Sequence, residues 1–366
     1  MTTGHAWRQL TLTLQTYAVE GRKKGFYKKR TPAPRNWSRY DHAQIHEMCD
    51  VLDLICVGVD TVSKDLSKDL RDLSVDPRDR SRRSRRPGRP RRPGGVCDLA
   101  KVVLLQQYMG MANRRLEGCL DIFSDRLGLV SLPGYKDVER AYGDPDVTVI
   151  LLGLFDLTVQ AVKDVSDFAV DGTGLSTSIK DNWYSYHIGH QVRYSIFEKI
   201  VCVVEEGYGL ISAFKLLESM HGGESPALRP LLEEVRKRHD RIGSVSGDSA
   251  FLSRENCTLV DEPGGVPRFY PKKNLTLKSR GHRAYQEMLL AFIKDPQRWL
   301  EEYHKRSICE STFSSLKRRC LTPLRREVRT RRKQEVLARI IIYNLIRLSY
   351  ARWIKGLQTP LKQKHK

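Results

Sequence analysis

The sequence predicts an α/β domain preceded by a mostly helical, basic N-terminal region, and three observations carry that expectation. From Phe168 onward, short apolar runs alternate with amphipathic stretches of helical period, the pattern of a sheet with helices packed on it. Upstream, residues 41–75 and 96–164 show helical spacing and little strand character. Positive charge is gathered into a few stretches and is not spread along the chain. With 366 residues, 40% of them hydrophobic, the chain can fill more than one core.

The elements follow in order. Residues 1–40 form a basic arm with Phe26, Tyr27, Trp37 and Tyr40 interleaved, and Pro32 and Pro34 oppose a long helix there. From Asp41, which can form a capping box with Gln44, the residues Ile45, Met48, Leu52, Ile55 and Val59 repeat at helical spacing. His42, His46 and Cys49 share a face of this segment, but no fourth ligand stands at a suitable spacing, so an ordinary helix surface is the better reading than a metal site. Residues 76–95, DPRDRSRRSRRPGRPRRPGG, have too little apolar content to pack a core and read as a linker or arm. Leu99–Tyr108 and Ala112–Phe123, separated by Gly110-Met111, read either as a helix-turn-helix-like DNA-binding unit or simply as two small packed helices. A further helix spans about 146–163.

The strand signals then begin. Phe168-Ala169-Val170 runs into DGTGL, and residues 195–204 and 210–217 are two strands joined at Gly207-Tyr208-Gly209. Residues 225–239 are an amphipathic helix, Ile242–Ser246 is a short strand ending at Gly247-Asp248, and Pro267–Tyr270 is a fifth strand. Beyond Gly281 the chain reads as helical to about 353, before a basic tail at 354–366. Three strands, a helix and a strand is the order of an RNase H-like domain, here 165–353, although periodicity alone establishes only an α/β domain.

Charge narrows the function. Residues 22–39 carry eight basic and no acidic side chains, 78–92 carry nine Arg against Asp79, and 317–333 carry nine basic residues against Glu327. These stretches exceed the whole formal charge of +21, so the remainder is close to neutral, and a polyanion such as nucleic acid is the expected partner. Within the second stretch, RRPGRPRR resembles the AT-hook: proline keeps the backbone extended, glycine allows close approach, and Arg suits a narrow, negative minor groove. A nonspecific basic linker is the competing reading. Eight Cys without a CxxC pair suit a reducing compartment, and no apolar run is long enough to span a bilayer, so the expectation is a soluble, cytoplasmic protein.

Three carboxylates carry the candidate chemistry. Asp171 in DGTG and Asp248 in VSGDSAF each end an apolar run, where a side chain is poised at a site edge. Residues 303–317, YHKRSICESTFSSLK, fit Y-x2-R-x3-E-x6-K through Tyr303, Arg306, Glu310 and Lys317. At about 100° per residue these four fall within roughly 60° on one helix face.

With these motifs the sequence resembles the DDE transposases of the insertion-sequence-four/five type, over roughly 165–350. The resemblance implies an RNase H-like fold with a first Asp after strand one (Asp171), a second after strand four (Asp248) and the signature Glu on a later helix (Glu310). It differs in carrying Phe251 where the group often has Tyr, and the step of 62 positions from Asp248 to Glu310 suits the compact members, without a large β-rich insertion. By that resemblance Asp171, Asp248 and Glu310 are catalytic and hold two Mg²⁺ ions, with Mn²⁺ as a substitute, because hard cations prefer carboxylate oxygens. Arg306 and Lys317 hold phosphates, and Tyr303 supports the same strand. The partners implied are double-stranded DNA (transposon ends and target) and a second copy of the chain on DNA, in a prokaryotic, nucleoid-associated setting. A catalytically inactive descendant that only binds DNA would not need all three carboxylates. A different RNase H-like nuclease would not need the signature or the basic arms.

Replacing Arg86, Arg89 and Arg91 with Ala should weaken DNA binding and reduce the slope of log K against log salt by about 0.9 for each phosphate that is no longer neutralised. Arg89→Ala alone should erode any preference for A·T-rich over G·C-rich duplexes; an unchanged ratio in binding titrations leaves only a polybasic tether.

Overall fold

The computed structural model describes residues 36–72, 95–177, 197–218, 223–272, 275–319 and 323–358. The first 35 residues and the Arg-rich segment, with Arg86, Arg89 and Arg91, lie outside the described residues. The chain divides into two compact units. One is built on a sheet, from Val162–Ser176 and Ile196–Ser315; the other is helical, from Trp37–Ala161 and Leu316–Lys366.

In the helical unit the elements are α1 (Trp37–Asp72), α2 (Val96–Met109), α3 (Asn113–Glu117), α4 (Leu120–Leu127), α5 (Tyr135–Ala141), α6 (Pro145–Gln160) and, from the far end of the sequence, α12 (Arg329–Lys355). The first helix starts at Trp37, so Asp41 lies inside it and caps nothing. Of its expected apolar face, Leu52, Ile55 and Val59 are buried while Ile45 and Met48 are exposed. Asp144 caps α6 by accepting from the N–H groups of Asp146 and Val147, with Pro145 in the first turn.

The stretch 99–123 consists of small packed helices. Val102, Val103, Leu104 and Leu105 on α2 are all fully buried, and α2 packs against α1, α5, α6 and α12. The stretch 112–123 is split at Gly118-Cys119 into α3 and α4. The grouping also differs from a linear division at 165: α12, which its position in the sequence would assign to the catalytic segment, packs against α1, α2 and α6. His42 and His46 lie against the Trp353 ring, in keeping with a helix surface that supports aromatic packing.

Polar residues at the centre of this unit form one network. The fully buried Glu335 accepts from the backbone N–H of Arg325 and of Arg326 and pairs with Arg339 at 2.7 Å. Arg326 pairs with Glu139, donates to Gln106 and Asn113, and lies 4.0 Å over the Tyr142 ring. Arg331 reaches Glu139 at 2.9 Å, and in a separate pair the exposed Arg319 reaches Glu47 at 2.7 Å. Part of the basic stretch 317–333 is therefore spent on internal ion pairs.

The sheet unit holds β1 (Asp167–Ser176), β2 (Phe197–Glu205), β3 (Ile211–Leu216), α7 (Leu228–Arg238, after a 3-10 turn at Ser225–Ala227), β4 (Ser244–Gly247), α8 (Arg254–Asp261), β5 (Val266–Phe269), α9 (Arg283–Lys294), α10 (Pro296–Tyr303), a 3-10 turn at His304–Arg306, and α11 (Ser307–Arg319). Of α11, this unit includes the part up to Ser315. The five strands lie in the order β3-β2-β1-β4-β5. The pairs β1/β2 and β2/β3 are antiparallel, whereas β1/β4 and β4/β5 are parallel. This is a mixed sheet of the RNase H-like kind. The core on one face joins Val170, Val201, Val203 and Val245 to Leu228, Leu231, Leu232 and Val235 of α7 and to Phe251 and Cys257 near α8.

The β2–β3 turn is organised by a carboxylate. Glu205 is fully buried and accepts from the N–H groups of Gly207, Tyr208 and Leu210, with Gly209 at φ +80° closing the turn. Its neighbour Glu206 is pushed up from 4.5 to about 7, first by burial and then by the nearby charge of Asp167, and its Oε1 is buried without a hydrogen-bond partner. A carboxyl raised on folding favours the native state while protonated, and that contribution is lost as pH rises through about 7. Glu206→Gln should therefore melt higher than the parent protein at about pH 8, with the difference closing toward pH 4.5. Parallel melting curves at both pH values check this.

Candidate active site

Strand register creates the site. In the parallel pairs, Val170 is opposite Gly247 and Gly247 is opposite Phe269. The next residues along the three strands are Asp171, Asp248 and Tyr270, so these side chains leave the sheet in a row. The carboxyl-terminal edge of parallel strands is where α/β sheets offer a crevice for ligands. The first strand does not end at Asp171, as its apolar run suggested, but continues to Ser176 against β2; what ends there is the pairing with β4.

Gly247 is needed for this geometry. A Cβ there would stand 2.9 Å from Cγ1 of Val170 and 3.0 Å from Cδ1 of Phe269, closer than packed carbons allow. After it, the Asp248 carboxylate accepts from the Ala250 N–H at 2.8 Å, and the Phe251 N–H donates to the Asp248 carbonyl. The Phe251 ring is fully buried, so the residue that departs from the family pattern serves the core.

The third carboxylate arrives through Arg306. Its guanidinium donates to Oδ2 of Asp171, 135 positions away, at 2.6 Å and to Oε1 of Glu310 at 3.1 Å. Burial pushes the Asp171 carboxyl up; Arg306 and the Gly172 N–H, which donates to Oδ1 at 2.8 Å, oppose it, while Asp248 and Glu224 add to it. For Arg306 burial works against the charge, but Tyr303, Asp171 and Glu310 outweigh it and the group is raised.

Tyr303, Arg306 and Glu310 do not share one continuous helix face. Tyr303 ends α10, a 3-10 turn carries Arg306, and Glu310 lies in the first turn of α11. Tyr303 is buried, stacked on Trp299 at 5.3 Å between ring centres and packed against Tyr270, and burial pushes its phenol up to about 12. A cleft of about 360 Å³ is lined by Asp248, Ser249, Tyr270, Tyr303, His304, Arg306, Ser307 and Glu310. Lys317 is on α11, half-buried, and is not among these lining residues. Arg306 joins two of the carboxylates and lines the cleft with the third, yet among the described residues no three His, Cys, Asp or Glu side chains are gathered closely enough to share one ion.

Residues 164–345 match the family model described as a transposase DDE domain. A probable transposase for insertion sequence element ISA1214 from Archaeoglobus fulgidus is 27% identical over 264 residues, which cover 71% of this chain and 78% of that protein. The chain carries a transposase DDE domain and functions as a transposase. It is thus an enzyme of metal-dependent DNA strand cleavage and strand transfer, and the DNA it binds includes the ends of its element. No described helix of the transposase is long and apolar enough to cross a membrane.

Sequence reasoning missed Tyr270, Ser249, His304 and Ser307 as lining residues, and Glu224 beside Asp171. Tyr270 was within reach: it stands at the end of the fifth strand as the two Asp stand at the ends of theirs. Gly247→Ala in the transposase should cost about 1–3 kcal/mol of stability through overpacking and should lower cleavage by displacing Asp248. Chemical denaturation and a cleavage assay check both, and unchanged stability would show that the strands part without strain.

Proposed function

We propose that Asp171, Asp248 and Glu310 are the catalytic carboxylates of the transposase and hold its divalent cations, two Mg²⁺ ions with Mn²⁺ as a substitute. The observation that carries this is the adjacency of Asp171 and Asp248 on paired strands, with Glu310 joined to Asp171 through one guanidinium. The donor set suits such ions: three carboxylates offer hard oxygens, and the space between Asp171 and Glu310 already accommodates a positive group. When bound, the ions make the attacking oxygen more acidic and stabilise the leaving oxyanion.

The protein's own groups do the positioning. Asp171 is oriented by the Gly172 N–H, and Asp248 by the Ala250 N–H. The Arg306 guanidinium balances Asp171 and Glu310 and is the group best placed to take a backbone phosphate. Tyr303 and Tyr270 wall the cleft so that the strand meets a fixed apolar surface. Lys317 completes the insertion-sequence-four/five signature and contacts DNA phosphate. On this reading water attacks first at the element end, and the freed 3′-OH then attacks target DNA. The transposase works as a homodimer assembled on two ends, within the prokaryotic nucleoid, with the Arg-rich segment 76–95 and the helical region 96–164 contributing DNA contacts.

Asp171→Asn, Asp248→Asn and Glu310→Gln should each abolish cleavage and leave DNA binding within a few-fold, since each removes a ligand charge without adding bulk. Ca²⁺ should support binding with little cleavage, because its looser coordination does not hold the reacting oxygens in line. Near-normal cleavage in Mg²⁺ by any one variant would sink the assignment.

A further inference from the structure

The segment that opens α7 places a fourth acid behind the site. Glu224 lies over the backbone of Gly172: a Cβ on that glycine would fall 2.5 Å from the Glu224 carboxyl carbon. Its carboxylate pairs with Lys199 at 2.9 Å, and both side chains are largely shielded, 17% and 25% exposed. Lys199 stands opposite Gly174 on β2 and Gly172 stands opposite Val201, so the pair spans the two strands beside Asp171. The next residue, Ser225, is held by the buried Asn256, whose amide donates to Ser225 Oγ at 2.9 Å and to the Phe251 carbonyl at 2.8 Å. Phe251 in turn donates its N–H to the Asp248 carbonyl. The Glu224 segment is thereby tied to the chain around both aspartates.

Packing alone would not select a shielded carboxylate at this place. Like charges close together in poor solvent destabilise each other, and an apolar side chain would cover Gly172 without that penalty. Departures of this kind from the local rules of folding concentrate at functional sites.

We propose that Glu224 is a positioning residue for strand cleavage: clamped by Lys199, it fixes the Gly172 backbone whose N–H orients the carboxylate of Asp171. This rests on the reading of Asp171 as a cation ligand. Groups that orient a ligand typically change metal affinity or activity 10–100-fold when removed.

The test is a Mn²⁺ titration of the full-length, DNA-free protein by calorimetry, with DNA affinity in Ca²⁺ measured alongside. Glu224→Ala should weaken Mn²⁺ binding by about 10–100-fold with DNA affinity unchanged. Glu224→Gln, which keeps the shape but loses the ion pair to Lys199, should recover only part of the loss. Gly172→Ala, which pushes the carboxyl aside, should weaken Mn²⁺ binding by itself and add little to Glu224→Ala, because both act on the same support. Parental Mn²⁺ affinity in folded Glu224→Ala overturns the proposal, and if that variant does not fold, parental affinity in Gly172→Ala does so. Asp171→Asn separates the two levels. Parental Mn²⁺ affinity there rejects the ligand assignment itself, whereas loss there with retention in Glu224→Ala rejects only the positioning role.

Discussion

The parallel pairing of β1 with β4 is the constraint from which the site follows. Neighbouring strands lie about 4.8 Å apart, and with Val170 opposite Gly247 the following residues have no choice but to emerge side by side. A shift of one residue would turn Asp171 or Asp248 to the opposite face. The register is held by the apolar face beneath, where Val170 and Val245 pack against α7, and by the missing side chain at Gly247. Catalytic geometry and core packing are one property of the same few residues.

Two half-buried carboxylates at that spacing repel, and the chain answers with Arg306. Its charge-assisted bond to Asp171 is short at 2.6 Å, and that to the more exposed Glu310 is longer at 3.1 Å. They do not fully compensate: burial still leaves the Asp171 carboxyl raised. One guanidinium against Asp171, Asp248 and Glu310 leaves these four groups net negative. Such a site favours additional positive charge, which agrees with an enzyme family that uses divalent ions.

The sheet was legible because its strands are short apolar runs ended by Gly, Asp or Pro, and each of the five lies within a few residues of where the pattern puts it. Asp171 and Asp248 could be picked out for a related reason, each as the carboxylate that follows a buried run. What was hidden depends on contacts across long sequence separations. Glu224 sits in a loop with no periodic signal, and only the fold brings it over Gly172. The signature around Glu310 could be read as a motif, but its supposed single helix is broken by a 3-10 turn that sends Tyr303 into an aromatic stack and leaves Arg306 to face the carboxylates. The exposed Ile45 and Met48 show the opposite failure, helical spacing without burial.

Charge shows the same limit. The stretch 317–333 looks uncompensated because its acids lie far away in sequence: Glu47 for Arg319, Glu139 for Arg326 and Arg331. Arg326 and Arg339 are buried, where a guanidinium needs acceptors, and Glu335, Gln106, Gln107 and Asn113 take several of their donors, although Arg326 Nε is buried without one. These side chains hold the helical unit together and cannot be counted toward a phosphate-binding face. The DNA-directed charge of the transposase must therefore be sought in the two N-terminal stretches, 22–39 and 78–92, which together carry one acidic residue, and in the remaining basic side chains of 317–333. Formal charge locates the candidates; only the ion pairs reveal which of them are left for DNA.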